Sequence, residues 1–169
     1  MSEYIHVTHD FPPVYDHNSK ILILGTLPSV KSREQHFFYG HPQNRFWKVL
    51  SSVMNDAIPE TIPEKKAFLL KNHIAVWDVI ASCDIIGSSD SSIRNVAPTD
   101  LSHILSVSGI DKIYANGKTA FHLYEKYQHP LTGMDITALP STSPANAAFS
   151  LKRLIETWSC IKFSLTDTD

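Results

Sequence analysis

The chain has 169 residues, 43% of them hydrophobic, and 15 Lys and Arg against 17 Asp and Glu give a formal net charge of −2. A chain of this length and composition can bury one hydrophobic core, so we expect a single domain over residues 1–169, and its two cysteines are too few for a disulfide framework or a four-cysteine metal site. The near-neutral charge excludes binding to nucleic acid through overall charge, so contacts with DNA would have to be local.

The first 19 residues contain two prolines and three histidines without helical or alternating hydrophobic periodicity. We expect residues 1–19 to form an irregular lead-in that packs on the edge of a sheet. The segment lacks the basic and apolar runs of a signal peptide, and no apolar run in the chain approaches the roughly 20 residues that span a bilayer. These features predict a cytoplasmic protein with no membrane partner.

Four short apolar runs predict strands. The first of them ends on Gly25 and is apolar throughout after Lys20, which is typical of a strand buried on both faces of a parallel sheet. The four predicted strands are residues 20–25, 74–80, 112–116 and 136–139.

Helical periodicity recurs between these strands. An amphipathic helix is predicted over residues 44–54, and Asp100 is a suitable cap for a helix over residues 101–106. The Ser-, Asp- and Gly-rich residues 82–95 are expected to form a loop. Further helices are predicted over residues 63–72, 118–127 and 145–160. Strands that alternate with helices at this spacing indicate an α/β fold: a single-domain, three-layer αβα arrangement around a central, mostly parallel four-stranded sheet.

In such a sheet, ligands bind beyond the carboxyl ends of the strands, where the connecting loops converge. This rule selects three loops as the candidate site. They comprise residues 25–43, 77–95 and 140–146.

Two of these regions contain unusual motifs. The first loop runs into Tyr39-Gly-His-Pro-Gln-Asn-Arg-Phe-Trp47, and the last contains Pro140-Ser-Thr-Ser-Pro-Ala-Asn146. With the Gly-x-x-Pro motif that begins at Gly25, this order resembles the uracil-DNA glycosylase superfamily over residues 20–154. The first long motif is close to that of the mismatch-specific uracil-DNA glycosylases. The last motif, with Trp77-Asp78-Val79 between, is most similar to the hypoxanthine-DNA glycosylase branch.

The resemblance implies an enzyme that hydrolyses the N-glycosidic bond of a deaminated base, most simply hypoxanthine from deoxyinosine, and leaves an abasic site. The reacting carbon is inaccessible inside a duplex, so the nucleotide must be flipped into a pocket. The implied reaction needs no cofactor, and the nine histidines show no metal-ligand spacing. The expected partner is DNA that contains a damaged base, bound by a monomer.

The resemblance also assigns the catalytic group. In uracil-specific relatives, the third residue of the Gly-x-x-Pro motif positions the attacking water and a histidine opens the last motif. Here these positions hold Leu27 and Leu139, so efficient excision of uracil is not expected. In the hypoxanthine branch, the catalytic Asn of the His-Pro-x-Asn motif falls on Asn44. Asn44 would accept a hydrogen bond from the water and fix its position, although an Asn here also suits the N-cap of the following helix.

Several residues of the loops are candidates for binding the base. Tyr39 matches the aromatic residue that stacks on the flipped base in mismatch-specific relatives, with Phe38 as the alternative, and either ring could instead fill the core. Asp78 could accept from the N–H groups of a purine lactam, or it could cap a helix or bridge to Arg94 or Lys118. The remaining candidates would act through backbone N–H groups or, for the histidine, through its ring or a structural turn bond. The expected base-binding residues are Tyr39, Thr26, Leu27, Phe38, His41 and Asp78.

Hydroxyl groups and small residues of the same loops are candidates for contact with DNA. Serine and threonine hydroxyls would bind phosphates beside the lesion, and Pro144-Ala145 would enter the gap in the duplex as a wedge. The alternative for the hydroxyls is local turn bonding, and for Lys118 it is simple solvation. The expected DNA-binding residues are Ser29, Ser141, Thr142, Ser143, Pro144, Ala145 and Lys118.

Three competing functions remain from the sequence. A uracil- or mismatch-specific glycosylase is the first. A catalytically silent lesion-binding protein is the second, because Leu27 and Leu139 replace the usual catalytic groups. A hydrolase acting on a small molecule is the third.

Overall fold

The computed structural model describes residues 3–166, and their strands form two sheets. The strands are β1 (Ile5–Thr8), β2 (Ile21–Gly25), β3 (Ile74–Asp78), β4 (Ile80–Ile85), β5 (Arg94–Pro98), β6 (Lys112–Asn116) and β7 (Ile136–Leu139). The first sheet has the order β3-β2-β6-β7 and is parallel throughout, which confirms the predicted α/β sheet and its four strands. The second sheet is antiparallel, with the order β1-β4-β5.

Helices cover both faces of the parallel sheet. They are α1 (Val30–Gln35), α2 (Phe46–Val53), α3 (Ile62–Lys71), α4 (Ser102–Val107), α5 (Lys118–Tyr127), α6 (His129–Thr132), α7 (Leu151–Trp158) and α8 (Ile161–Thr166). Successive side chains of β2 point to opposite faces of the sheet, so this strand contributes to a core on each face. Ile21 and Ile23 pack with α2, α3 and α7 on one face, whereas Leu22 and Leu24 pack with α4 and α5 on the other. The three-layer αβα arrangement is therefore confirmed.

The antiparallel sheet corrects two predictions. Residues 82–95 were expected to form a loop, but β4 and β5 occupy much of that range, joined through a 3-10 turn at Asp90–Ser92. The lead-in over residues 1–19 was expected to be irregular, but β1 pairs with β4. The expected packing on a sheet edge is present, since Val14 pairs with Val76 of the edge strand β3.

Two helix boundaries also differ from expectation. The predicted helix over residues 145–160 begins only at Leu151, where Ser150 caps it, and it breaks before α8. Residues 140–150 therefore form an extended loop. Helix α4 begins at Ser102, so Asp100 lies one residue further from the helix than expected. Its carboxylate still accepts a hydrogen bond from the Ser102 N–H over 2.9 Å. Within residues 3–166, no helix has the length and apolar character needed to cross a bilayer.

Candidate active site

A cleft of about 200 Å³ opens at the carboxyl ends of β2, β3 and β6, where the predicted loops meet. This is the position that the fold class favours for a ligand. The predicted residues that line the cleft are Thr26, Leu27, Ser29, Phe38, Tyr39, Asn44, Asp78, Ser141, Thr142 and Ser143. The structure thus brings together three loops that lie far apart in the sequence.

Four predicted residues do not line the cleft. The ring nitrogen Nδ1 of His41 accepts from the Gln43 N–H over 3.1 Å, which is the turn bond weighed as the alternative for this histidine. Pro144 and Ala145 are exposed next to the lining residue Ser143. Lys118 is the exposed first residue of α5.

Asn44 lies at the start of α2 with its side-chain oxygen already engaged. Oδ1 accepts from the Phe46 N–H over 2.9 Å and from the Thr142 hydroxyl over 2.8 Å. A carbonyl oxygen has two lone pairs, so both are used by the protein. The amide nitrogen Nδ2 makes no hydrogen bond to another residue of the described chain and is the group that remains for a ligand.

Thr142 is fully buried, so the prediction that its hydroxyl holds a phosphate is wrong. Its hydroxyl accepts from Nδ2 of Asn116 over 3.0 Å, and its N–H donates to Oδ1 of the same residue over 3.0 Å. The Thr142 hydroxyl also donates to Asn44. Asn116, at the end of β6, therefore fixes the Thr142 hydroxyl, and this hydroxyl in turn fixes the Asn44 amide at the start of α2; we call this chain of bonds the relay.

The three predicted serines that line the cleft make local bonds within their own loops, which is the alternative that the sequence left open for them. Ser29 caps α1 by accepting from the Ser32 N–H over 3.2 Å. The Ser141 hydroxyl accepts from the Ser143 N–H, and the Ser143 hydroxyl from the Ala145 N–H. Each hydroxyl therefore shapes its own loop.

Tyr39 occupies an unusual position in both backbone and side chain. Its φ of 52° lies in the left-handed region, which a bulky residue rarely adopts. Its ring stacks on Phe46 at 3.8 Å between centroids, so one face is covered. Phe38 is 2% exposed and packs edge-on against Phe11 at 4.8 Å. Phe46 and Trp47, from the first turn of α2, belong to the core.

The Tyr39 hydroxyl lies at the buried end of the cleft. Burial, together with the nearby Asp78 carboxylate, raises its pKa well above the usual value, and the Asn116 side chain partly opposes the rise. No group in residues 3–166 meets hydrogen-bond geometry with the hydroxyl. A buried hydroxyl that faces a cleft without a protein partner is available to a ligand.

Asp78 ends strand β3 and is 4% exposed. Its Oδ2 receives a hydrogen bond from Nε2 of His9 at 2.8 Å, in place of the bridge to Arg94 or Lys118 that the sequence left open. Its Oδ1 lies beside Gly25: a Cβ at position 25 would be 2.5 Å from Oδ1 and 2.9 Å from the Tyr39 hydroxyl. Glycine is required here because these two groups approach the end of β2 closely.

The two leucines that replace catalytic groups have structural roles. Leu27 lines the cleft and packs against the core of the antiparallel sheet. Leu139 is 4% exposed and lies in the main core. Neither side chain can hold a water molecule.

Arg45 ties the last loop to the first residues of α2. Its guanidinium donates to the carbonyl oxygens of Thr142, Ser143, Asn146 and Phe149, and its backbone N–H also donates to Thr142. Arginine suits this role because its fork presents five donors in a fixed geometry.

Several lining residues were missed from the sequence. Ile85, Ser88 and Asp90 reach the cleft because they belong to the antiparallel sheet and its connection, which were read as a loop. Desolvation raises the pKa of the Asp90 carboxyl. Arg33 supplies a cation from α1 and donates to the Pro28 carbonyl. The lining residues outside the predicted set are Gly25, Pro28, Ser32, Arg33, Ile85, Ser88, Asp90 and Asn116. Across the described part of the chain, no group of three or more His, Cys, Asp or Glu side chains is placed to hold a metal ion.

Comparison with known proteins points to one family. Residues 12–162 match the sequence model of the Uracil DNA glycosylase superfamily. A protein named hypoxanthine DNA glycosylase from Methanosarcina acetivorans is 36% identical over 92% of this chain and 98% of its own, and one of the same name from Methanosarcina barkeri is 33% identical over 88% and 94%. A solution NMR structure of a protein described as a candidate uracil DNA glycosylase from Methanosarcina acetivorans superposes with a TM-score of 0.77, at 34% identity, covering 89% of this chain and 93% of that one.

Proposed function

The chain belongs to the uracil DNA glycosylase superfamily, and we propose that it removes hypoxanthine from DNA by hydrolysing the N-glycosidic bond of a flipped deoxyinosine. One observation carries the proposal: a single cleft at the carboxyl ends of the strands brings together Asn44, Tyr39 and Asp78 with the loop that begins at Ser141. The relatives named hypoxanthine DNA glycosylase match almost the whole chain, which supports the same substrate.

The acidic end of the cleft suits a purine lactam. Hypoxanthine carries a proton on N1, and the Asp78 carboxylate is an acceptor at the buried end of the site. Adenine has an unprotonated N1, so its N1 lone pair would face the Asp78 carboxylate, which is also an acceptor. Neither group would then have a hydrogen-bond donor, and binding of adenine would be weakened. Hypoxanthine also pairs poorly in a duplex, so less free energy is needed to flip it out.

The aromatic residues would hold the flipped base. One face of Tyr39 rests on Phe46, which fixes the ring while the rest of it borders the cleft. Stacking of a base on an aromatic ring contributes about 1–3 kcal/mol. Phe38 lies deeper and supports the wall of the pocket. Thr26 and Leu27 would offer backbone N–H groups from the turn after β2 to the departing base.

Asn44 would position the attacking water. The sequence led us to expect Asn44 to accept a hydrogen bond from the water, but Oδ1 already receives two hydrogen bonds. We therefore expect Nδ2 to donate to the water oxygen instead, which leaves the other lone pair of the water free to attack. Departure of the base leaves an oxocarbenium-like sugar, which needs a correctly placed water more than a strong base. The contribution of Asn44 is then mainly orientation.

The rim of the cleft would contact the DNA backbone. Pro144 and Ala145 are exposed on the loop that Arg45 anchors, where a small wedge could enter the space left by the flipped nucleotide. Ser29, Ser141 and Ser143 line the cleft and Lys118 lies exposed at the start of α5, so these residues are the proposed phosphate contacts. We expect residues 1–169 to act as one glycosylase domain, as a monomer in the cytoplasm, with no metal or cofactor.

Single-turnover alkali cleavage of labelled duplexes tests the proposal. With enzyme in excess, the wild-type chain should cleave strands that contain deoxyinosine, also in the presence of EDTA. Asn44→Ala should lower the rate about 100-fold or more while remaining folded at the assay temperature, although it leaves the Phe46 N–H and the Thr142 hydroxyl without their acceptor. A second set of duplexes contains deoxyuridine. Tight binding of the deoxyinosine or the deoxyuridine duplex without cleavage would instead indicate a silent lesion-binding protein. Cleavage of deoxyuridine alone would indicate a uracil-specific enzyme, and cleavage of free deoxyinosine but not of DNA would indicate a nucleoside hydrolase.

A further inference from the structure

His9 lies directly behind the carboxylate that borders the cleft, although 69 residues separate it from Asp78. Its Nε2 is 2.8 Å from Oδ2 of Asp78, and the two side chains are 3% and 5% exposed. A buried carboxylate requires a donor to offset the loss of hydration. His9 supplies that donor from outside the motifs that form the rest of the site.

The backbone fixes the position of His9 between the two sheets. It follows the last residue of β1, and its N–H donates to the Ala81 carbonyl of β4 over 2.7 Å. The imidazole packs against Phe11 at 4.5 Å and Phe38 at 5.9 Å between ring centroids. The ring therefore has little freedom to move away from Asp78.

Nε2 is the ring nitrogen through which His9 engages Asp78. Nδ1 is buried and has no hydrogen-bond partner within residues 3–166. Because an ionised carboxylate oxygen can only accept, Nε2 donates to Oδ2 of Asp78 over 2.8 Å.

This hydrogen bond leaves the other carboxylate oxygen for the cleft. Oδ1 of Asp78 lies next to Gly25 and near the Tyr39 hydroxyl, and all three residues border the cleft. We propose that His9 is a positioning residue for base specificity: by holding Oδ2, it directs Oδ1 toward the N1–H of the flipped hypoxanthine. The inference rests on the proposed function, because it presumes this base in the cleft.

A matched pair of variants tests the role of His9. The Gln in His9→Gln can place its amide nitrogen where Nε2 of His9 lies, whereas the Asn in His9→Asn carries the same group one methylene short. The probes are two duplexes with 2′-fluoro sugars that resist cleavage. One contains hypoxanthine, and the other contains unsubstituted purine, which lacks the N1 proton and the 6-oxygen.

We expect His9→Asn to weaken binding of the hypoxanthine duplex about tenfold and to leave binding of the purine duplex within twofold, and His9→Gln to restore the preference. A purely structural role would alter both duplexes equally or neither, and either result would overturn the inference. If His9→Asn does not fold, His9→Gln alone tests the inference. A His9→Gln variant that melts like the wild type but no longer prefers the hypoxanthine duplex over the purine duplex would also overturn the positioning role of His9. Cleavage of deoxyinosine by the wild type is scored separately, so failure of the proposed function is recognised independently.

Discussion

The hydroxyl of Thr142 donates to Oδ1 of Asn44 over 2.8 Å, although 98 residues separate the two. With the Phe46 N–H on the same oxygen, this bond fixes which end of the Asn44 amide faces the cleft. The end left without a partner in residues 3–166 is a donor, Nδ2. The chemistry available to Asn44 therefore follows from a contact between two loops.

Asn44→Asp separates the two possible roles of this side chain. A carboxylate can keep both hydrogen bonds to Oδ1, but it replaces the donor Nδ2 with an acceptor. If Nδ2 holds the water, cleavage of deoxyinosine should fall about 100-fold with little change in melting temperature. Single-turnover rates measured beside Asn44→Ala check this. Activity at or above the wild-type level would show that the residue acts as an acceptor or base.

Thr142→Val should impair both stability and catalysis. The substitution leaves Nδ2 of Asn116 without its acceptor and lets the Asn44 amide turn. A buried donor left unpaired costs about 1–3 kcal/mol, and we expect about a tenfold loss of the cleavage rate. Urea unfolding and single-turnover kinetics measure the two effects. Thr142→Ser retains the hydroxyl and should stay close to the wild type; equal losses in both variants would contradict the relay.

Tyr39→Phe should lower activity without lowering stability. The hydroxyl is buried and makes no hydrogen bond within residues 3–166, so its removal should leave the free energy of unfolding unchanged or raise it by about 1 kcal/mol. A slower reaction with deoxyinosine would identify the hydroxyl as a ligand contact, whereas an unchanged rate would count against it.

The difference in stability between the wild type and Tyr39→Phe should depend on pH. The pKa of the Tyr39 hydroxyl is raised in the folded protein, so above the unfolded value of about 10 the unfolded chain loses this proton while the folded chain keeps it. The stabilising effect of the raised pKa is complete below that value, and the wild type should lose stability relative to Tyr39→Phe as the pH rises above it. Denaturant unfolding at pH 8 and pH 10.5 measures the difference.

Arg45→Lys should loosen the last loop despite conserving charge. A single ammonium cannot reach the four carbonyl oxygens that the guanidinium joins. We expect a loss of about 2 kcal/mol in the free energy of unfolding and faster amide hydrogen exchange in residues 143–149. Arg94→Lys, on β5 of the other sheet, serves as the control: it gives up the stacking of the guanidinium on the Tyr4 ring, 3.5 Å from the centroid, but should leave amide exchange in residues 143–149 unchanged. Unaltered exchange in the loop would contradict the anchoring role.

The parallel sheet could be predicted because its strands are buried on both faces. Residues 21–25 are apolar throughout and fully enclosed, so local sequence and tertiary environment agree. The antiparallel sheet offers no such signal. Burial along β4 does not alternate regularly, because two partly exposed residues separate Ile80 from Cys83. The pairing of β4 with β5 shifts register twice, and Arg94 and Asn95 of β5 are exposed. Composition alone therefore suggested a loop.

In the candidate site, too, residues with a local sequence signal were predicted, and residues that depend on distant contacts were not. The motifs located Asn44, Tyr39 and Asp78, because their residue types and order are distinctive. His9 gave no local signal, since its role depends on a partner 69 residues away. The start of α7 was misplaced for a similar reason: residues 140–149 are held out of the helix by Arg45, and that contact spans about a hundred residues of sequence.

The Arg45 anchor makes the loop at residues 140–149 and the Asn44 amide a single interlocked unit. Thr142 belongs to this loop, so any force that lifts the loop from α2 also withdraws the hydroxyl that orients Asn44. A substitution that displaces this loop is therefore expected to disorient Asn44 as well, even where the altered residue touches nothing in the cleft.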